Sequence, residues 1–70
     1  MNLKRLDLKA WRVGKDLKQV EVAEALGVTV AYYNQIELGK IKPSLKLMIK
    51  FKEVYKFDTY DEVLKLFRMI

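Results

Sequence analysis

The 70-residue sequence has no cysteine, no histidine, one proline and three glycines. Without cysteine there is no disulfide framework, no thiolate nucleophile and no cysteine-bearing zinc knuckle. Without histidine the usual imidazole ligand and general base are missing too, so the expectation is a non-enzymatic protein with no metal and no cofactor. No hydrophobic run approaches the roughly 20 residues that cross a bilayer. In the opening MNLKRLDLKAWRVGK charges interrupt every apolar pair, which leaves no signal-peptide core. A cytoplasmic chain without a membrane partner is therefore expected. Low-complexity tracts and Gly/Ser linkers are lacking as well, and a hydrophobic content of 51% disfavours disorder. One domain over residues 1–70 is expected, and at this length only about 60% of the unfolded surface is buried, so a partner chain would add stability.

What is present is positive charge, unevenly placed. The formal charge is +5. Up to residue 52 there are 11 Lys and Arg against 5 acids, whereas residues 53–70 hold 3 bases and 4 acids. Leu38 to Lys52 contains Lys40, Lys42, Lys46, Lys50 and Lys52 and no acid. Such a run is either a solvated lysine face or a phosphate-binding strip. Lys46 and Lys50 are four apart and share one helix face.

The sparse punctuation and the lack of period-2 alternation predict an all-α chain of five short helices. The first runs from about Leu3 to Val13, with Gly14 and Asp16 ending it, since both tolerate left-handed geometry. A second, about Lys18 to Leu26, turns Val22, Ala23 and Leu26 inward and stops at Gly27. Thr29 caps a third helix to about Leu38, with Gly39 just beyond. Ser44 after Pro43 caps a fourth to about Tyr55, with Leu45, Met48, Ile49 and Tyr55 inward. Thr59 and Glu62 form a capping box for a fifth, from Tyr60 to near the end.

Two short helices joined by a tight glycine-containing turn, with small Ala23 at the crossing, are the features of a helix-turn-helix. The stretch QVEVAEALGVTVAYYNQIELGKIKPS resembles the Cro/repressor-type (XRE) helix-turn-helix proteins of bacteria and phages. Arg12, Gln19, Ala23, Gly27-Val28-Thr29, Ile36-Glu37, Gly39 and Pro43-Ser44 carry the resemblance, which covers roughly Leu8 to Leu66. It implies a compact five-helix repressor-like domain whose third helix enters the major groove, and transcriptional control from an operator. Three features depart from the pattern. Lys18 stands where the family places a Ser or Thr cap, with Asp16 as a substitute; Val20 occupies a usually polar site; Lys52 and Lys56 replace small residues.

Rotating the third helix at about 100° per residue sets Tyr33 and Ile36 on one side and Val30, Ala31, Asn34 and Gln35 on the other. That outward face carries no charge, which suits contact with base edges. Asn and Gln can bond adenine in two places, and small apolar groups fit the thymine methyl. Asn34 and Gln35 are expected as hydrogen-bonding readers, Val30 and Ala31 as apolar ones, with A·T pairs favoured.

Phosphate contacts are expected from Lys40, Lys42, Lys46 and the Ser44 amide at a helix start. Thr29 serves as cap and phosphate contact, and Tyr32 either packs or donates to phosphate. By the resemblance Gln19 also donates to phosphate, Arg12 and Glu37 form a structural ion pair, and Tyr33 takes a core site. Asp61 and Glu62 read as first-turn acids favoured by the helix dipole. In the last helix the apolar residues cover more of the wheel than one core stripe needs, making Leu66, Met69 and Ile70 a candidate dimer interface. The expected partners are double-stranded DNA and a second copy of the chain. The alternative is an antitoxin or anti-regulator that keeps the fold and grips a protein.

Overall fold

The structure, a computed structural model, describes residues 6–68. Five helices follow in order: α1 (Leu6–Gly14), α2 (Gln19–Leu26), α3 (Val30–Glu37), α4 (Leu45–Tyr55) and α5 (Tyr60–Leu66). Among the described residues there is no strand. The fold is all-α, as its punctuation predicts.

Hydroxyl side chains start three of the helices. Thr29 Oγ1 accepts from the Tyr32 amide at 3.1 Å, Ser44 Oγ from Leu47 at 3.1 Å, and Thr59 Oγ1 from Glu62 at 3.3 Å. Each satisfies one amide that lacks a carbonyl four residues back. Lys18, the N-cap of α2, has no acceptor to offer. Glu21 supplies the support instead, its Oε1 accepting from the Lys18 amide at 2.8 Å. The substitute for a Ser/Thr cap is thus Glu21, one turn inside the helix, and not Asp16.

Helix ends depend on left-handed residues. After α2, Gly27 takes φ 74; its amide bonds Glu24 O at 3.1 Å and the Val28 amide bonds Ala23 O at 3.0 Å. This is the Schellman pattern, and Gly27 has the conformation that a Cβ would strain. The same pattern ends α1, but with Asp16 at φ 59, its amide on Val13 O and the Leu17 amide on Arg12 O. Gly14 is the last residue of α1 and not its left-handed stop. The reason is that Asp16, two residues later, meets the geometric requirement by itself.

One core joins all five helices. Leu8, Val22, Tyr33, Ile36, Phe51, Val63 and Phe67 are fully buried. The α4 face differs from expectation: Leu47, Met48 and Phe51 point inward while Leu45 is 68% exposed. Phe51 decides this register. Its ring lies 4.9 Å from Trp11, 5.2 Å from Phe57 and 5.1 Å from Phe67, so rotating Leu45 inward would break a cluster drawn from α1, α4, α5 and their connection. Tyr55 is half-buried beside it, and Ile49, also half-buried, lines a cleft with Leu26 and Val28.

Candidate nucleic-acid interface

Helix α3 is fastened from behind. Tyr33 and Ile36 are fully buried, and Glu37 at its last turn is buried as well. A carboxylate in that position needs partners, because an unpaired buried charge is strongly disfavoured. Arg12 provides them: Nε donates to Glu37 Oε2 at 2.7 Å and Nη2 to Oε1 at 3.2 Å. The third guanidinium nitrogen, Nη1, donates to Leu17 O at 2.9 Å, tying the α1–α2 turn into the same knot.

Burial pushes the Glu37 carboxyl up, but the Arg12 hydrogen bonds, with Gln19 adding to them, outweigh it and hold the group below its ordinary value. Arg12 is raised by its bond to Glu37 despite burial. The buried Tyr33 hydroxyl sits next to this carboxylate without a hydrogen bond of sound geometry, and its pKa is raised by burial first and Glu37 second.

The network then crosses to the outward face. Gln19, the first residue of α2, is half-buried, and its Nε2 donates to Glu37 Oε1 at 3.0 Å and to Asn34 Oδ1 at 3.1 Å. Both N–H groups of Gln19 are therefore engaged within the protein. A phosphate donor role for Gln19, expected from the resemblance, requires one of these bonds to break.

Beyond the network, Val30 and Ala31 are exposed and Asn34 and Gln35 half-exposed, which gives α3 an outer face without a charge. Two tight turns flank it, one at Gly27 and one at Gly39, φ 77. The α3–α4 connection carries exposed Lys40 and Lys42, and α4 opens with exposed Ser44, Leu45 and Lys46.

The sequence profile of the Helix-turn-helix family matches residues 8–60. The chain belongs to the XRE-type helix-turn-helix family. A curated relative, the SPbeta prophage-derived uncharacterized HTH-type transcriptional regulator YonR of Bacillus subtilis (strain 168), is 36% identical over 58 residues. That alignment covers 83% of this chain and 53% of YonR, so the chain spans about half the length of this relative. No solved structure matches this chain.

In this helix-turn-helix the sequence-nominated residues fall into separate groups. Val30, Ala31, Asn34 and Gln35 share the outer side of α3, and Lys40, Lys42 and Lys46 border it in sequence and lie in solvent. Thr29 and Ser44 act as caps. Tyr32 is half-buried and packs against the core. Lys52 turns elsewhere, its Nζ 5.0 Å from the centre of the Tyr60 ring. Lys46 and Lys50 instead line a cleft of about 780 Å³ together with Leu26, Val28, Tyr32 and Leu45.

Of the nominated dimer residues Leu66, Met69 and Ile70, only Leu66 falls among the described residues. Leu66 is half-buried against the core, and Met69 and Ile70 lie outside the described residues. Asp61 and Glu62 are exposed in the first turn of α5. Among the described residues no group of acids is arranged to hold a metal ion, and no helix is long and apolar enough to cross a membrane. The link from Glu37 through Gln19 to Asn34 had no sequence signal, because Gln19 sits on α2, 15 and 18 positions before its two partners on α3.

Proposed function

We propose that this chain is a sequence-specific DNA-binding transcriptional regulator, a small repressor or Cro-like protein that inserts α3 into the major groove of a palindromic operator as a dimer. The observation that carries the reading is the uncharged outer face of α3, held rigidly from behind by Tyr33, Ile36 and the Arg12–Glu37 pair. A solvated helix face ordinarily bears charges, whereas a face pressed on base edges gains from amides and small apolar groups. Val30 and Ala31 meet thymine methyl groups, and Asn34 and Gln35 hydrogen-bond base edges. Lys40, Lys42 and Lys46 and the free amides at the start of α4 hold phosphates, which fixes register and strength without reading sequence. Thr29 and Tyr32 contact phosphate at the edge of this surface. Membership of a helix-turn-helix family and a relative named as a transcriptional regulator support the reading.

Selection of binding sites from a random DNA pool at moderate salt tests it. The expected result is A·T-rich half-sites in inverted repeat, about one helical turn apart. Gln35→Ala should relax one base position per half-site at a cost of about 1–3 kcal/mol. A pool with no enrichment, or with G-rich half-sites throughout, would overturn the proposal.

A second reading, a protein-interaction module such as an antitoxin or anti-regulator, draws on the cleft between the α2–α3 turn and α4 and on Leu45 at its edge. Retention on nonspecific DNA separates the two, since a DNA-binding protein shows strong salt dependence and an interaction module little.

A further inference from the structure

Asparagine on a recognition helix is ordinarily ambidextrous. Its amide offers an acceptor and a donor side by side, the combination that matches N6 and N7 of adenine. In this chain the acceptor half is already engaged. Gln19 Nε2 donates to Asn34 Oδ1 at 3.1 Å, and Gln19 is held in that orientation because the same nitrogen donates to Glu37 Oε1 at 3.0 Å. Glu37 is fixed in turn by Arg12 at 2.7 Å. A chain of directional bonds therefore runs from the buried ion pair to the outer side of α3.

An amide group is planar, with oxygen and nitrogen on opposite sides of its axis. Turning Oδ1 toward Gln19 turns Nδ2 away from it, so Asn34 presents N–H donors outward. Flipping the amide would set Nδ2 against the Gln19 donor, two N–H groups facing each other with no acceptor between them. Flipping Gln19 as well would bring its oxygen against the Glu37 carboxylate. The negative charge at the end of the relay thus fixes the sense of both amides.

We propose that Asn34 is a donor-only reader that selects a keto base, thymine O4 or guanine O6 and N7, over the amino bases, and that Gln19 and Glu37 are the positioning residues that set this preference. The inference rests on the proposal that α3 contacts bases. Cytosine presents only a donor in the major groove and is rejected; adenine keeps one acceptor and loses the two-bond match. Gln35 stands outside the relay and retains the adenine-matching pair.

The test is binding-site selection from a random pool with the parent chain and three variants. Asn34→Ala first marks the position that Asn34 reads, as the one base in each half-site whose preference is lost. At that position the parent should enrich thymine or guanine about tenfold or more over cytosine. Asn34→Asp still accepts from Gln19 but presents an acceptor outward, so the preference should invert to cytosine, a change that destabilisation alone does not produce. Gln19→Ala frees the amide to rotate, and adenine should rise to equal or exceed the keto bases there while other positions keep their profile. Thermal melting of each variant in parallel separates unfolding from respecification.

Parent selection of adenine at the marked position, or an Asn34→Asp profile still favouring keto bases, overturns the relay while leaving DNA reading by α3 intact. A parent chain that enriches no sequence overturns both. A Gln19→Ala variant that weakens all sites equally, with the marked position unchanged, shows that Gln19 is structural and overturns its positioning role.

Discussion

Replacing Arg12 by methionine leaves the Glu37 carboxylate in a site where its side chain is 4% exposed. Of the two side chains that hydrogen-bond it, only Gln19, through Nε2 at 3.0 Å, then remains. Orphaning one half of a buried pair costs about 3–5 kcal/mol. A chain of this length has a total stability of roughly 4–10 kcal/mol at about 0.05–0.15 kcal/mol per residue. The single variant should therefore lose about 30% or more of its stability and melt at least about 12 °C lower, taking about 4 °C per kcal/mol. Arg12→Met with Glu37→Leu removes both charges. It leaves two smaller deficits, the Leu17 carbonyl without its 2.9 Å donor and Gln19 short of one acceptor, each about 1 kcal/mol. The double variant should thus lie about 2 kcal/mol below the parent, far above the sum of the two single losses.

Acid titration adds a sign to this cycle. In the parent Glu37 is held below its ordinary value of 4.5, so its contribution is complete above that pH and is lost as pH falls through the folded-state value. In Arg12→Met burial remains while the strongest lowering influence is gone, so the carboxyl moves up relative to the parent and the variant loses less stability on acidification. Urea denaturation followed by circular dichroism at pH 7 and pH 4 measures both effects. A double variant as unstable as the sum of the singles, or an Arg12→Met loss below about 1 kcal/mol, would refute the account of the buried pair.

Lys18→Ser should raise stability by about 1 kcal/mol, because it gives α2 the side-chain acceptor it lacks while Glu21 keeps its bond to the residue 18 amide; chemical denaturation reads the gain. Lys42→Ala should weaken DNA binding nearly uniformly across sequences and reduce the slope of log affinity against log salt by about 0.9; fluorescence anisotropy at several salt concentrations checks it. A chain ending at Arg68 should lose self-association, if Met69 and Ile70 form the dimer contact, while keeping buried Phe67 and its melting temperature. Sedimentation of that chain at unchanged mass would count against the tail. Ending the chain earlier, at Lys65, would confound the result by removing Phe67 from the core.

Much of the architecture was legible because it is written locally. Thr29, Ser44 and Thr59 announce helix starts through their own hydroxyls, and Gly27 and Gly39 announce ends through φ values that other residues avoid. The α1 stop was only half legible, since glycine and aspartate compete two positions apart and the hydrogen bonds of Leu17 choose between them. The α4 face was not legible. Leu45, Leu47, Met48, Ile49, Phe51, Val54 and Tyr55 surround the helix, so periodicity alone permits several registers and the Phe51 ring contacts decide. The outer side of α3 could be read from its composition, but the engagement of Gln19 and Asn34 depends on distances between helices that no spacing rule contains.

The aromatic cluster has a spectroscopic consequence. Trp11 is the one tryptophan in the chain, and it lies 4.8 Å from Tyr55 and 4.9 Å from Phe51 in edge-on contacts, with Phe57 at 5.8 Å. Its indole belongs to α1 and looks onto α4, whereas the α3 surface proposed to meet DNA contains no tryptophan. Intrinsic emission therefore follows the opening of the α1–α4 seam and is not quenched directly by stacking on bases. Unfolding can be monitored with DNA present, in one cuvette and without a label, and any change in tryptophan emission on adding an operator would report a shift transmitted through the core.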